Sequence, residues 1–328
     1  MACAMFSRVF NPPTRERMPN SSSRSPKPPW LKVRAPAGPR YTAIKQRLRS
    51  LDLNTVCEEA QCPNIGECWD GGTATVMLMG DVCTRGCRFC AVSSGKPAPL
   101  DPNEPVHVAD MIQKMEVDYI VLTSVNRDDL DDGGADHFAR TVEALAERMP
   151  ELLVEVLVPD FQGLMPAVDR VVASQPAVFA HNVETVERLQ RTVRDVRATY
   201  AQTLEVLRRA KTLAESQGHT LLTKTSIMLG CGETEEEIIQ TMRDLRAHQV
   251  DVVTFGQYLR PSAQHLEVER FVPPEEFDRL KALADEMGFA YCASGPLVRS
   301  SYRAGEYFIT NILKQRASAF ATHEPEMI

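Results

Sequence analysis

Six short apolar runs, each followed by a stretch of helical periodicity, limit this chain to very few folds. The runs are 75–79 (Thr-Val-Met-Leu-Met), 119–124, 153–158, 178–181, 221–228 and 251–255. Helical patterns lie between them at 108–115, 134–149, 164–174, 200–216 and 234–247. Glu235, Glu236 and Glu237 open the last of these, where the helix dipole favours acids. Strand and helix alternating at about 40 residues per unit predict an α/β architecture built on a parallel sheet. Periodicity alone leaves an open doubly wound sheet and a barrel equally available. No Gly-x-Gly-x-x-Gly follows the first strand, which lowers the dinucleotide-binding reading.

The 328 residues suit one large domain with flanking segments, or two modest ones. No apolar run reaches 18 residues, so no membrane span is expected. Charge is distributed unevenly. Residues 1–50 carry eleven Lys/Arg and one acid, Glu16, for a net of +10, so the remainder sums to −17 within the whole-chain −7. An acidic body argues against nucleic acid as the main partner. The leader, 1–40, is rich in Pro, Ser and Arg without hydrophobic period and reads as a disordered basic arm. A cytoplasmic protein is expected. An Arg-rich, acid-poor start also fits an organelle transit peptide, which would place the protein in a matrix or stroma. A short amphipathic helix is expected at 41–51, with Ile44, Leu48 and Leu51 on one face.

Nine cysteines, an odd number, do not form an even disulfide framework, and their clustering points to metal in a reducing compartment. Cys83, Cys87 and Cys90 lie in the loop leaving the first strand, spaced C-x3-C-x2-C. Three thiolates on one short loop can hold three irons of a cubane and leave the fourth iron open to a substrate. The competing reading is a zinc knuckle. Zinc wants four closed ligands, and the best fourth candidate, His107, is far along the chain. Cys57, Cys62 and Cys68 form a second triad upstream, C-x4-C-x5-C, for which zinc or a disulfide is again the plain alternative.

The loop after the first strand resembles the signature of the radical S-adenosylmethionine (SAM) superfamily, and the upstream triad resembles the auxiliary-cluster motif of the lipoyl synthases. Further stretches carry the likeness: Met79-Gly-Asp-Val-Cys83, Thr123-Ser-Val-Asn-Arg-Asp-Asp-Leu130, Phe179-Ala-His-Asn-Val-Glu184, Gly256-Gln-Tyr-Leu-Arg-Pro-Ser262 and Gly295-Pro-Leu-Val-Arg-Ser-Ser-Tyr302. It runs from about Tyr41 to about Gly305, with Cys231 standing where Leu is expected. The resemblance implies a partial (β/α)6 TIM-like barrel of the radical SAM type with N- and C-terminal extensions. The corresponding domain reading is a leader 1–40, an auxiliary-cluster segment 41–72, a barrel 73–290 and a C-terminal segment 291–328.

The resemblance also implies two [4Fe–4S] clusters. One sits on Cys83, Cys87 and Cys90 and binds SAM. The other sits on Cys57, Cys62 and Cys68, with Ser301 of the Arg-Ser-Ser-Tyr motif as a further ligand. The implied reaction inserts two sulfur atoms, drawn from the auxiliary cluster, at carbons 6 and 8 of a protein-bound octanoyl-lysine. Those C–H bonds are unactivated, so a carbon radical is needed, and two C–H bonds imply two SAM molecules per lipoyl group. Implied partners are octanoylated lipoyl carrier domains and a low-potential donor of ferredoxin or flavodoxin type. A biotin-synthase-like sulfur inserter is the alternative within the superfamily.

Weaker signals remain. Asn182 and His181 fall at the end of the fourth strand, where barrel active sites lie, although a satisfied core histidine accounts for His181 equally well. Gly230 and Gly232 follow the fifth strand, where glycine either admits the adenosyl moiety or simply makes a turn. The acidic run 128–132 reads as a solvated loop before it reads as a site. Cys3, Cys231 and Cys292 read as small buried apolar residues or idle thiols.

Overall fold

All six expected strands form in the computed structural model, and a seventh parallel strand joins them. The structure describes residues 27–32, 42, 45–46, 54–55, 62, 64–66, 75–115 and 117–301. The expected helix at 41–51, together with Cys3, Cys57 and Cys68, lies wholly or mostly outside these residues. The strands are β1 (Asn54–Thr55), β2 (Thr75–Leu78), β3 (Val82–Cys83), β4 (Ser93–Ser94), β5 (Tyr119–Ser124), β6 (Leu153–Leu157), β7 (Val178–Ala180), β8 (Leu222–Leu229), β9 (Val252–Gln257) and β10 (Tyr291–Ser294). The helices are α1 (Glu104–Gln113), α2 (Ala135–Arg148), α3 (Met165–Ala173), α4 (Gln190–Val193), α5 (Tyr200–Ser216), α6 (Glu235–Ala247) and α7 (Pro274–Glu286).

Strands β2, β5, β6, β7, β8, β9 and β10 lie side by side and parallel, and β1 runs antiparallel along the free edge of β2. Helices connect them in turn, with α1 packed on α2, α2 on α3 and α3 on α5. Strand residues bury alternate side chains in two separate apolar layers, as the period of a strand requires. Ile120 and Leu122 of β5 join the layer beneath the helices, whereas Tyr119 and Val121 pack with Val178 and Leu222 on the other face. Both faces are therefore covered, which is why these strands read as nearly continuous apolar runs. The result is the expected TIM-like partial barrel. Its edge carries β10 beyond the sixth strand, so that residues 291–294 of the C-terminal segment belong to the sheet. Among the described residues no helix is long and apolar enough to cross a membrane.

Local chemistry sets the element ends. Thr234 caps α6 in a reciprocal capping box with Glu237, and Glu235 and Glu236 sit in the same first turn. Thr199 caps α5 by accepting from the Gln202 amide. Below the strand ends, inside the sheet's curve, the Lys224 ammonium of β8 reaches across β7 to the Glu155 carboxylate of β6 at 2.8 and 2.9 Å. The Tyr119 hydroxyl donates to the same carboxylate. Both charged side chains are almost wholly buried, 5% and 1% exposed, so each requires the other. Lys224→Met is expected to strand the carboxylate and lower stability by about 3–5 kcal/mol. Lys224→Met with Glu155→Leu should lose much less. Urea unfolding of the two variants checks this, and equal losses would refute it.

Candidate active site at the strand ends

Beyond β2 the chain turns through two left-handed residues, Met79 (φ 66°) and Gly80 (φ 87°), and enters the cysteine loop. Helix α1 fixes this turn, because the Glu104 carboxylate accepts from the Met79 amide at 2.9 Å. Arg127 donates to the Met79 carbonyl from the other side. Cys83, Cys87 and Cys90 follow, all half-buried. The Cys83 sulfur receives the backbone N–H groups of Arg85 and Asn126 at 3.4 Å each, and the Cys87 sulfur receives that of Asp195 at 3.3 Å. The ring Nε2 of His265 donates to the Cys90 carbonyl at 2.9 Å. Burial pushes the Cys87 thiol up, and pushes Cys90 up to about 12. Without a metal the Cys87 and Cys90 sulfurs hold their protons, which a metal would have to displace.

The three thiols open onto a cavity of about 490 Å³ at the C-terminal ends of the strands. Cys62, Ser300 and Ser301 line the same cavity. The N-terminal segment reaches this place by a contact between chain ends: the Asn64 side chain donates to the Leu297 carbonyl at 2.6 Å. Arg299 stands beside Cys62. Burial raises the Cys62 thiol, and the Asn64 backbone and the Arg299 cation partly offset that rise. Lys27 of the basic leader also lines the cavity, and Leu31 is buried.

Asn182 lines the cavity, with its Oδ1 buried and unpartnered while its amide hydrogen-bonds Glu184. Burial pushes the Glu184 carboxyl up, and the Arg194 cation and Asn182 counter it. His181 is a satisfied core residue at the cavity wall. Its Nδ1 donates to the Val158 carbonyl at 2.8 Å and its Nε2 accepts from the Thr203 hydroxyl at 3.1 Å, which defines a neutral ring.

Gly230 and Gly232 do not line the cavity. Gly230 (φ +93°) leaves room for the Gln257 amide and the Arg270 carbonyl, where a side chain would collide. Gly232 (φ +105°) turns its carbonyl toward Arg188. Turn geometry and close packing account for both. His107 lies on α1, paired with Asp101. Cys231 and Cys292 are buried apolar fillers, as expected.

The run 128–132 departs from a solvated loop. Asp128 accepts both Arg85 Nε and Nη2 at 2.8 Å, Asp129 pairs with Arg127, and Asp132 accepts from the Gly134 and Asp136 amides at the start of α2. The physical reason is two buried arginines, which need those carboxylates. Sequence periodicity did not single out Arg85, Asn126, Asp160, Glu184, Arg194 or Arg299. The one available signal was a charged residue, Arg85, set between two metal-type cysteines.

Residues 77–245 match the family model of the radical SAM superfamily, and residues 13–62 match that of the N-terminal domain of lipoyl synthase of the radical SAM family. The mitochondrial lipoyl synthase of Picea sitchensis is 56% identical over 295 residues, covering 88% of this chain and 76% of that one. The lipoyl synthase of Sorangium cellulosum is 56% identical over 306 residues, covering 90% and 82%. Among solved structures, the FeFe-hydrogenase maturase HydG from Carboxydothermus hydrogenoformans matches with TM-score 0.51 at 13% identity, covering 83% of this chain and 78% of that one. That last likeness is one of fold.

His181 gives the site a pH signature. Burial, then Arg194, hold its folded pKa at about 4, against an ordinary 6.5. As pH falls below 6.5 the unfolded chain takes the proton first, so stability present above that value is lost toward pH 4. The slope is at most about 1.4 kcal/mol per pH unit. Between pH 7.5 and 5 the wild type is expected to lose about 2 kcal/mol more than His181→Gln. Denaturant midpoints at the two pH values measure the difference, and identical losses would show that His181 does not titrate as described.

Proposed function

The chain belongs to the lipoyl synthase family of radical SAM enzymes, and from that we propose that it inserts two sulfur atoms at carbons 6 and 8 of a protein-bound octanoyl-lysine. It is an enzyme of the sulfurtransferase kind. The observation that carries the finer reading is the shared cavity: Cys83, Cys87 and Cys90 face the same space as Cys62 and Ser301. Two ligand sets at one cavity suit a reaction that needs both a hydrogen-abstracting centre and a sulfur source within reach of one carbon chain.

The residues present fit these groups. Soft thiols bearing N–H donors suit iron–sulfur ligation, and a buried amide oxygen without a partner suits a polar ligand. We assign Cys83, Cys87 and Cys90 to the SAM-binding [4Fe–4S] cluster, and Cys57, Cys62, Cys68 and Ser301 to the auxiliary one. When bound, the clusters and SAM supply the carbon-radical and sulfur-transfer chemistry, with two SAM molecules used per lipoyl group. The chain's own residues bind, orient and shield. Asn182 and Glu184 offer polar atoms to SAM from the end of β7, while the walls from Met77, Leu157 and Ile227 keep water from the reacting carbons. Gly230 and Gly232 are left out of that contact.

Partners follow from the same reading: an octanoylated carrier domain that presents its lysine arm at the cavity, and a low-potential donor of ferredoxin or flavodoxin type. For the compartment, the cytoplasm and an organelle matrix are the two readings. The Picea sitchensis relative is named mitochondrial, and with the Arg-rich leader this supports an organelle matrix as the alternative.

Reconstituted protein given SAM, reductant and an octanoylated carrier should yield carrier in which two sulfurs replace two hydrogens, read by mass. Cys83→Ala, Cys87→Ala or Cys90→Ala is expected to abolish SAM cleavage. Replacing Cys57, Cys62 or Cys68 should spare abortive cleavage and stop sulfur insertion, and lipoyl product from such a variant would overturn the sulfur-source assignment.

Ser301 is the informative ligand. An alkoxide is harder and more basic than a thiolate, so Ser301 as a cluster ligand would be easier to displace by protonation at oxygen than a cysteine. Ser301→Cys is expected to load both clusters and cleave SAM, yet to form product poorly, with Ser300→Ala much milder. A single-turnover assay in which Ser301→Cys matches wild type would remove the labile-ligand role.

A further inference from the structure

The loop that carries the three cysteines has little regular structure to stiffen it. Among the described residues its only ladder is two residues of β3 against two of β4. Side chains do the holding instead, and Arg85 is their centre. Its guanidinium forks two carboxylates at once: Nε and Nη2 donate to Asp128 at 2.8 Å, and Nη1 and Nη2 donate to Asp160 at 2.7 and 2.6 Å. Asp160 is fixed in turn by the Gln162 amide, and Asp128 by the Thr84 hydroxyl. Arg197 extends the mesh. It pairs with Asp128, donates to the Thr84 carbonyl and holds Asp195, whose carboxylate accepts from the Gly86 amide. The loop is thereby tied to the segments following β5, β6 and β7.

We propose that Arg85 is a positioning residue for the SAM-binding cluster: its double fork fixes the loop so that the Arg85, Asn126 and Asp195 amides stay aimed at the Cys83 and Cys87 sulfurs, and so sets the cluster's reduction potential. The proposal rests on the assignment of that cluster to Cys83, Cys87 and Cys90. N–H groups directed at cluster sulfurs stabilise the more negative reduced form, so their loss lowers the potential. Lysine cannot replace the arginine, because one ammonium cannot fork two carboxylates. Geometry and bare charge also predict opposite signs. Arg85 with Asp128 and Asp160 carries a net negative charge, so neutralising Asp160 would raise the potential if only the field mattered. If loop position matters, Asp160→Asn loosens the fork and the potential falls.

The test uses the full chain, reconstituted anaerobically, and titrates the paramagnetic signal that changes when SAM is added. Arg85→Lys and Asp160→Asn are both expected to shift that signal to more negative potential, and to lose its iron to a chelator several-fold faster. Arg209→Lys, at a half-buried fork to Asp169 on the helix layer, should change neither. An unchanged potential in Arg85→Lys, or a raised one in Asp160→Asn, overturns the proposal. If Arg85→Lys does not yield folded protein, Asp160→Asn decides alone. If the wild-type chain has no SAM-responsive signal that Cys87→Ala removes, the cluster assignment itself falls, and the positioning role falls with it.

Discussion

Parallel pairing sends the C-terminal end of every main strand to the same rim, and the chemistry of this chain depends on that single constraint. The cysteine loop leaves β2, Asn126 and Asp128 follow β5, Asp160 follows β6, and Asn182 and Glu184 follow β7. The four groups they form lie tens of residues apart in sequence. A sheet with mixed strand directions would scatter them to two ends. Here seven strands run the same way, and the loops at their C-terminal ends make polar groups converge around one cavity.

Convergence has a cost in charge. Arginines 85, 127 and 194 and lysine 224 are all buried, and each lies against carboxylates or other polar acceptors. The pairing divides by level. Lys224 and Glu155 are buried outside the cavity lining, while Arg85 and Asp160 are part of it. A buried ion pair adds little net stability over an apolar substitute, but it tolerates almost no displacement, and that rigidity is useful around a loop without a ladder of its own.

The strands and the cysteine loop could be read from the residues because each is a local pattern: apolar runs within eight residues, thiols within the same span. What stayed hidden was long-range. Arg85 takes partners 43 and 75 residues away, which no periodicity announces, so the acidic run at 128–132 looked like solvated surface. His181 and Asn182 are neighbours at one strand end, yet only geometry separates a histidine with both nitrogens occupied from an amide with a free oxygen. Gly230 looked like an approach site for a ligand, and the approaching group is the protein's own Gln257. Helix α7 and strand β10 also escaped notice, since Tyr291–Ser294 is only four residues long and its place in the sheet is set by β9.

The contact between Asn64 and the Leu297 carbonyl spans 233 residues and brings Cys62 to the cavity that Ser301 lines. During synthesis the N-terminal half of that contact leaves the ribosome long before its partner exists. The strands that build the rim around Cys83, Cys87 and Cys90 can pair in order as they appear, each with the one before it. The Cys62 and Ser301 side of the cavity must wait for the segment that follows β10. On the ligand assignment proposed above, the cavity would therefore form in two stages: its Cys83 side can take shape on a nascent chain, and its Cys62 and Ser301 side only once the segment after β10 has emerged.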